Sequence, residues 1–152
     1  MKRSLLVLAL VLATAASAAT IASARGGQAV AHASRVTRVN VHRTGLGTIL
    51  VSSSGATLYE FTRDRGHNSC VKVSGCAEVW PALTSGGRPT AGSGVRASLL
   101  STVKLPNGSQ QVTYAGHPLY IYASEPKGTS YVGVNAFGGS WDAINGAGHA
   151  VK

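Results

Sequence analysis

Past residue 45, the chain consists of short apolar runs separated by turn residues. The segment TILVSSSGATLYEF (48–61) reads as an apolar run, a Ser-Ser-Gly turn and then an alternating stretch. The segment QQVTYAGHPLYIY (110–122) reads as strand, Ala-Gly-His turn and strand. Both patterns predict β-hairpins. Gly55 and Gly116 fall where hairpin turns often require a positive φ, which glycine adopts without steric cost.

The remaining patterns also favour strands. SYVGVNAF (130–137) alternates, and GSWDAINGAGHAV (139–151) predicts a closing hairpin around Asn145 and Gly146. Helical periodicity is weak, and 19 glycines disfavour helices. We expect at most two short helical turns, around residues 76–80 and 95–102. The predicted fold is therefore an all-β, small single domain of two internally repeated antiparallel hairpin units.

The second half of the chain repeats the first at a fixed offset of 61 positions. Both tryptophans, Trp80 and Trp141, obey this offset. Other coinciding pairs include Gly55 with Gly116, Leu58 with Leu119, Tyr59 with Tyr120, and Phe61 with Tyr122. We therefore predict two copies of one unit, about residues 45–88 and 106–149. Two copies are too few for a solenoid, so they are expected to pack together in one pseudo-symmetric core.

The paired aromatic residues allow two interpretations. Tyr59 and Phe61 share one face of their strand, as do Tyr120 and Tyr122, because side chains alternate along a strand. In an open groove these rings could stack on sugars or hold a flat cofactor. Facing inward they form the core, which we favour because so small a domain needs its large aromatics for burial.

The N-terminal segment has the features of a secretory signal. Lys2 and Arg3 precede an apolar run and small residues, with cleavage expected after Ala24, or alternatively after Ala18. We predict a signal peptide at 1–24, an N-terminal arm or first edge strand at 25–44, and the repeat domain at 45–152. An uncleaved anchor is the alternative, although the apolar run is shorter than the ~20 residues that span a bilayer. The protein is expected to be secreted, either released or associated with the cell envelope.

The two cysteines are best interpreted in the light of export. Outside the cytosol, Cys70 and Cys76 are expected to form a disulfide. A metal site with His67 as a third ligand is the alternative. Their C-x5-C spacing lacks the close C-x2-C pattern of structural zinc sites, so the disulfide is preferred.

The charge balance points to anionic partners. The net charge is +9, and without Lys2 and Arg3 the chain retains 12 basic against 5 acidic residues. For an exported protein, such partners would be cell-wall polymers, phospholipid headgroups or acidic polysaccharides, with no stable membrane insertion. The basic residues are scattered without interleaved aromatics, which gives nucleic-acid binding little support. The alternative is a charge that only keeps the protein soluble.

Several motifs together identify a family resemblance. LYEFTRD (58–64) contains Tyr59, Phe61 and Asp64 as Y-x-[FWY]-x-x-D, followed by the two cysteines, WPAL, PTAGSGV and VTYAGHPLYIY. This ensemble, over about residues 46–145, resembles the bacterial family of secreted repeats of unknown function, also described as predicted lipoproteins with this motif. The second copy has Glu125 where the motif has Asp, and the signal carries no lipidation cysteine. The resemblance implies an exported β-rich domain and no particular reaction.

The sequence offers few groups for catalysis. A hydrolytic carboxylate pair could be assembled from Asp64 and Glu125 across the pseudo-two-fold axis, although an acid at this position also suits a turn cap. Serine-hydrolase signatures are absent. A metal or haem site could use His67, His117 and His149.

We therefore expect a non-enzymatic binding module for an anionic or carbohydrate polymer, without a cofactor. A metal-, haem- or redox-associated protein is the first alternative, with His67 and His117 as ligands, and a hydrolase is the second. The candidate ligand-binding residues are Tyr59, Phe61, Asp64, Tyr120, Tyr122 and Glu125.

Overall fold

The computed structural model of the protein describes residues 35–126 and 129–152. The predicted signal peptide and residues 25–34 of the predicted arm lie outside the described residues. The regular secondary structure of the described residues is mostly β-sheet, with one short helix, α1 (Cys76–Val79), and 3-10 turns at Cys70–Lys72 and Ala97–Leu99. The strands are β1 (Arg38–Thr44), β2 (Gly47–Ser52), β3 (Tyr59–Phe61), β4 (Thr84–Ser85), β5 (Thr90–Ala91), β6 (Leu100–Lys104), β7 (Gln110–Tyr114), β8 (His117–Pro118), β9 (Val134–Ala136), β10 (Gly139–Ile144) and β11 (Ala150–Val151).

The strands form three small sheets. In the first, β1 lies between β2, its antiparallel hairpin partner, and β5, to which it runs parallel. In the second, β10 lies between β11 and β3 and also pairs with β9. In the third, β7 lies between β4 and β6 and also pairs with β8. The all-β fold class is confirmed.

The two copies meet at a pseudo-two-fold axis. The β1–β2 hairpin of the first copy corresponds in sequence to the β6–β7 hairpin of the second. Between the copies, the backbone N–H of Tyr59 donates to the carbonyl of Tyr120 at 3.0 Å, and the N–H of Tyr120 donates to that of Tyr59 at 2.9 Å. Each tyrosine also faces the equivalent alanine, Ala143 for Tyr59 and Ala82 for Tyr120. The two copies therefore pack against each other, as predicted.

The centre of the molecule is a stack of aromatic rings around this axis. The rings of Trp80 and Trp141 are stacked at 4.2 Å with an interplanar angle of 3°. Phe61 stacks on the outer face of Trp141 at 4.1 Å, and its repeat equivalent, Tyr122, packs on Trp80 at 4.8 Å. Such pairs contribute roughly 0.5–1.5 kcal/mol each beyond the apolar area that they bury. The repeated aromatics therefore join the two copies.

The local predictions can be compared with the structure. Gly55 and Gly116 have φ values of 87° and 85°, and the closing hairpin is present as β10 and β11. The helical turn expected around residues 76–80 is α1. The turn expected over 95–102 is limited to the 3-10 turn at Ala97–Leu99, because the chain then pairs with β7 as strand β6. Strand β1 lies within the 25–44 segment, so residues 38–44 belong to the sheet and form its middle strand.

The predicted disulfide is confirmed. Cys70 and Cys76 are bonded, and both are fully buried against the aromatic stack. Gly75, with φ 74°, turns the chain into α1 inside this small loop. Among the described residues, no helix is long and apolar enough to cross a membrane.

Candidate functional site

Two tyrosine–carboxylate pairs flank the pseudo-two-fold axis. The hydroxyl of Tyr59 donates to Glu125 Oε2 at 2.6 Å. The hydroxyl of Tyr120 donates to Asp64 Oδ2 at 2.6 Å. Both the tyrosines and the acids are related by the 61-residue offset, so each copy supplies the acceptor for the other copy's tyrosine. The family motif thus forms a reciprocal lock between the two copies.

Further hydrogen bonds hold each acid in place. Asp64 Oδ1 accepts from both the backbone N–H and the hydroxyl of Ser69, at 2.8 and 2.6 Å. Glu125 Oε1 accepts from the backbone N–H of Thr57 at 3.2 Å. The expected turn-capping role of Asp64 is therefore present. A carboxylate held by such bonds is already occupied as an acceptor, which supports a structural role for both acids.

The electrostatics of the pairs agree with this role. Burial, together with the hydrogen bond to Glu125, raises the pKa of Tyr59 far above its ordinary value of 10. Burial and the hydrogen bond to Asp64 act in the same way on the pKa of Tyr120. Both hydroxyls therefore stay protonated and act as hydrogen-bond donors over the whole physiological pH range.

The aromatic candidates are mostly core residues. Tyr59, Phe61 and Tyr120 are at most 2% exposed, as are both tryptophans. Tyr122 is half-buried and contacts the more exposed Tyr131, with ring centroids 4.7 Å apart. A ligand at the surface would therefore reach only this outer end of the aromatic stack. These rings therefore form the core and do not line an open groove.

The candidate histidines do not converge. His67 and His149 are exposed, and the ring of His67 contacts the carbonyl of Arg65 at 3.2 Å. His117 is on β8 and contacts the carboxylate of Glu60. Within residues 35–126 and 129–152, no three or more His, Cys, Asp or Glu side chains are grouped so that they could hold a metal ion.

A cluster of titratable side chains that the sequence did not reveal lies at the β3–β10 pairing. Glu60 and Asp142 are directly opposite each other across these antiparallel strands. Glu60 is 7% exposed and Asp142 is fully buried. The imidazole Nδ1 of His117 contacts Glu60 Oε2 from the solvent side. Because the repeat equivalents of the acids are Ile121 and Pro81, the cluster exists in one half only.

The two acids of this cluster are poorly compensated. Burial raises the pKa of Glu60 above 4.5, and the charges of Asp142 and Asp64 add to this effect while His117 opposes it. Asp142 Oδ1 accepts from the Ser140 hydroxyl at 3.0 Å. Asp142 Oδ2 is buried without any hydrogen-bond partner in the described structure. Burying such a group is unfavourable, so the cluster lowers the stability of the β3–β10 pairing.

The sequence indicated on which face of its strand Glu60 lies, but not that Asp142 lies opposite it. Alternation placed Glu60 on the face opposite Tyr59 and Phe61, which would be the solvent face of a strand with one buried side. Strand β3 instead lies within the molecule, so all three of its residues are buried. The partner, Asp142, comes from a strand about 80 residues away, and its register could not be read from local pattern.

Charged residues are segregated between interior and surface. The ten described Arg and Lys residues are all exposed: Arg35, Arg38, Arg43, Arg63, Arg65, Lys72, Arg88, Arg96, Lys104 and Lys152. Of the five acids, only Glu78 is exposed. The contact between His117 and Glu60 is the one contact between a basic side chain and a carboxylate in the described part of the chain. The charged side chains exposed at the surface are therefore almost all cationic.

Comparison with known proteins supports the repeat assignment. A family model described as a secreted repeat of unknown function matches the chain twice, over residues 41–84 and 101–145. Each match contains one tyrosine of the lock, the acid that accepts from the other copy's tyrosine, and one stacked tryptophan. The predicted family resemblance is confirmed. Searches of curated proteins and of solved structures found no match to the chain.

Proposed function

We propose that this chain, which belongs to the family of secreted repeats of unknown function, is an extracellular binding module for an anionic polymer. The partner is a polymer of the cell envelope or of its surroundings, and the protein performs no chemistry on it. The two repeats form one β domain, and binding occurs on its outer surface.

The segregation of charge carries this proposal. Asp64 and Glu125 accept hydrogen bonds from the tyrosines of the lock. Glu60 and Asp142 are buried in the cluster at the β3–β10 pairing, where they contact His117 and Ser140, respectively. The exposed cations consequently have no carboxylate partners among the described residues. A surface of one sign attracts polymers of the opposite sign, because fixed charges of the polymer replace mobile counter-ions.

The arrangement of the acids supports a non-enzymatic role. General acid–base catalysis needs a carboxylate that can reach substrate. Asp64 and Glu125 instead hold tyrosines, and Asp142 is fully buried. Glu60 is 7% exposed and contacts His117, which leaves Glu78 as the one exposed acid of the five.

The proposal is tested by salt-dependent retention of the exported protein. The protein is applied to beads carrying carboxylated or phosphorylated polymers, with neutral dextran beads as the control. We expect retention on the charged beads at low salt, with progressive release as the ionic strength rises, since the screening length shortens from about 30 Å at 0.01 M to about 3 Å at 1 M. Passage through every charged column at low salt, or equal retention on dextran, would overturn the proposal.

A further inference from the structure

A polar groove lies between the segment 87–89 and strand β6. Its volume is about 470 Å³. Four polar side chains line it, and Gly87, Pro89 and Leu100 complete the wall. The polar residues are Arg88, Ser101, Thr102 and Gln110.

Strand pairing on both sides fixes the groove. On one side, Thr90 pairs with Arg38 as β5 joins β1, and a Cβ at Gly87 would lie 3.3 Å from the Val36 side chain. On the other side, Gln110 pairs with both Lys104 of β6 and Ser85 of β4. One wall of the groove is thus formed by strands of the third sheet, and the other is the connection between β4 and β5, which belong to different sheets.

The polar side chains of the groove have unused hydrogen-bonding capacity. Among the described residues, none of the side chains of Arg88, Ser101, Thr102 and Gln110 donates to or accepts from another protein group. Arg43 and Arg96 likewise make no side-chain hydrogen bond to the described residues, whereas Arg63 donates to the carbonyl of Phe137 at 2.7 Å and Arg65 to that of Thr62 at 3.3 Å. The guanidinium of Arg88 therefore keeps its whole donor fork for a ligand.

Further positive charge surrounds the groove. The backbone N–H of Gly86, two residues before Arg88, donates to the carbonyl of Arg35 at 3.1 Å. Arg38 is the pairing partner of Thr90, two residues after Arg88, and Lys104 is that of Gln110. No carboxylate lines the groove. Its field is therefore positive without local compensation.

We propose that this groove binds a polysaccharide that carries carboxylate groups. This inference rests on the proposed function and identifies its site and the class of its ligand. The Arg88 fork pairs with a sugar carboxylate in the bidentate geometry that guanidinium groups favour. Ser101, Thr102 and Gln110 exchange hydrogen bonds with sugar hydroxyls.

The test uses polygalacturonate as the probe and the exported protein with single substitutions. We expect Arg88→Gln to weaken binding at least tenfold. The matched control, Arg65→Gln, removes the same charge from an exposed arginine outside the groove and should change affinity less than threefold. Neutral Gln110→Ala should weaken binding about two- to fivefold. Thermal unfolding of each variant verifies that the fold is retained.

A second substitution separates the fork from its charge. Arg88→Lys keeps the positive charge and loses the bidentate geometry, so its affinity should fall between those of the wild type and Arg88→Gln. Wild-type affinity in Arg88→Lys would overturn the proposed fork. Equal losses in Arg88→Gln and Arg65→Gln would overturn the groove as the site.

The outcomes distinguish this inference from the proposed function. Wild-type protein that binds polyphosphate but not polygalacturonate would overturn the ligand class, while anionic-polymer binding would stand. Wild-type protein that binds neither polymer at low salt would overturn both.

Discussion

The reciprocal lock can be tested by removing one hydroxyl at a time. Tyr59→Phe and Tyr120→Phe leave the buried rings in place and delete the bonds to Glu125 and Asp64, respectively. The Tyr59 hydroxyl also accepts from the backbone N–H of Tyr131 at 2.8 Å, so its removal deletes two bonds. The two variants therefore perturb equivalent positions by different amounts.

The expected losses follow from the kind of acceptor. A hydrogen bond to a charged group contributes about 1.5–3 kcal/mol, and a neutral one about 0.5–1.5 kcal/mol. Tyr120→Phe should thus lower the free energy of unfolding by roughly 1.5–3 kcal/mol, and Tyr59→Phe by roughly 2–4 kcal/mol. For a domain of this size, each kcal/mol corresponds to a fall in Tm of roughly 3–6 °C.

Tyr114 provides the matched control. It is fully buried, donates to the carbonyl of Gly146 at 2.8 Å and accepts from the backbone N–H of Arg96 at 3.0 Å. Tyr114→Phe therefore deletes the same number of bonds as Tyr59→Phe, but its acceptor is neutral. We expect it to be the milder of the two by about 1 kcal/mol.

The assay is urea unfolding at pH 7, followed by tryptophan fluorescence because Trp80 and Trp141 lie in the centre of the core. Losses below about 0.5 kcal/mol for both Tyr59→Phe and Tyr120→Phe would refute the lock. A larger loss for Tyr114→Phe than for Tyr59→Phe would refute the assigned importance of the carboxylate acceptors.

Three further changes test other parts of the fold. Because the pKa of Glu60 is raised in the folded protein, this residue contributes stability at low pH, and the contribution is lost as the pH rises from about 4.5 through the raised pKa. Glu60→Gln should therefore reduce the fall in the free energy of unfolding between about pH 4 and pH 8, measured by urea denaturation. Replacing Cys70 and Cys76 together by Ser should lower the free energy of unfolding by about 2 kcal/mol. The difference between wild type and variant should disappear when both are measured with a reducing agent that opens the disulfide. A Cβ at Gly92 would lie 2.9 Å from a backbone oxygen of β1, so Gly92→Ala should lower Tm, whereas Gly45→Ala, which meets nothing within 4 Å, should not.

Much of the fold could be predicted because its signals are local or repeated. Turn glycines such as Gly55 and Gly116 mark hairpins through their positive φ, and the structure has both. The offset shared by Trp80 and Trp141 predicted that the copies pack together, and these two rings stack at the axis. An internal repeat thus supplied long-range information that a single unrepeated strand pattern lacks.

The remaining features depend on which distant strands pair. Glu60 and Asp142 become neighbours only because β3 of one copy pairs with β10 of the other. The groove beside Arg88 likewise requires β5 to join β1 and β4 to join β7. Neither choice leaves a periodic trace in the sequence, so scattered cations such as Arg38 and Lys104 gave no indication of a common site.

The lock also changes the meaning of the surface charge. Glu125 departs from the aspartate of the family motif, yet its longer side chain meets Tyr59 at the same 2.6 Å distance as Asp64 meets Tyr120. Both copies therefore present a carboxylate to the other copy's tyrosine, and duplication of the unit engages two half-buried acids in joining the copies. Part of the positive surface is consequently a by-product of how the copies are joined. Net charge alone is then weak support for a specific ligand, and the comparison of Arg88 with Arg65 is the stronger criterion because it depends on where the donors converge.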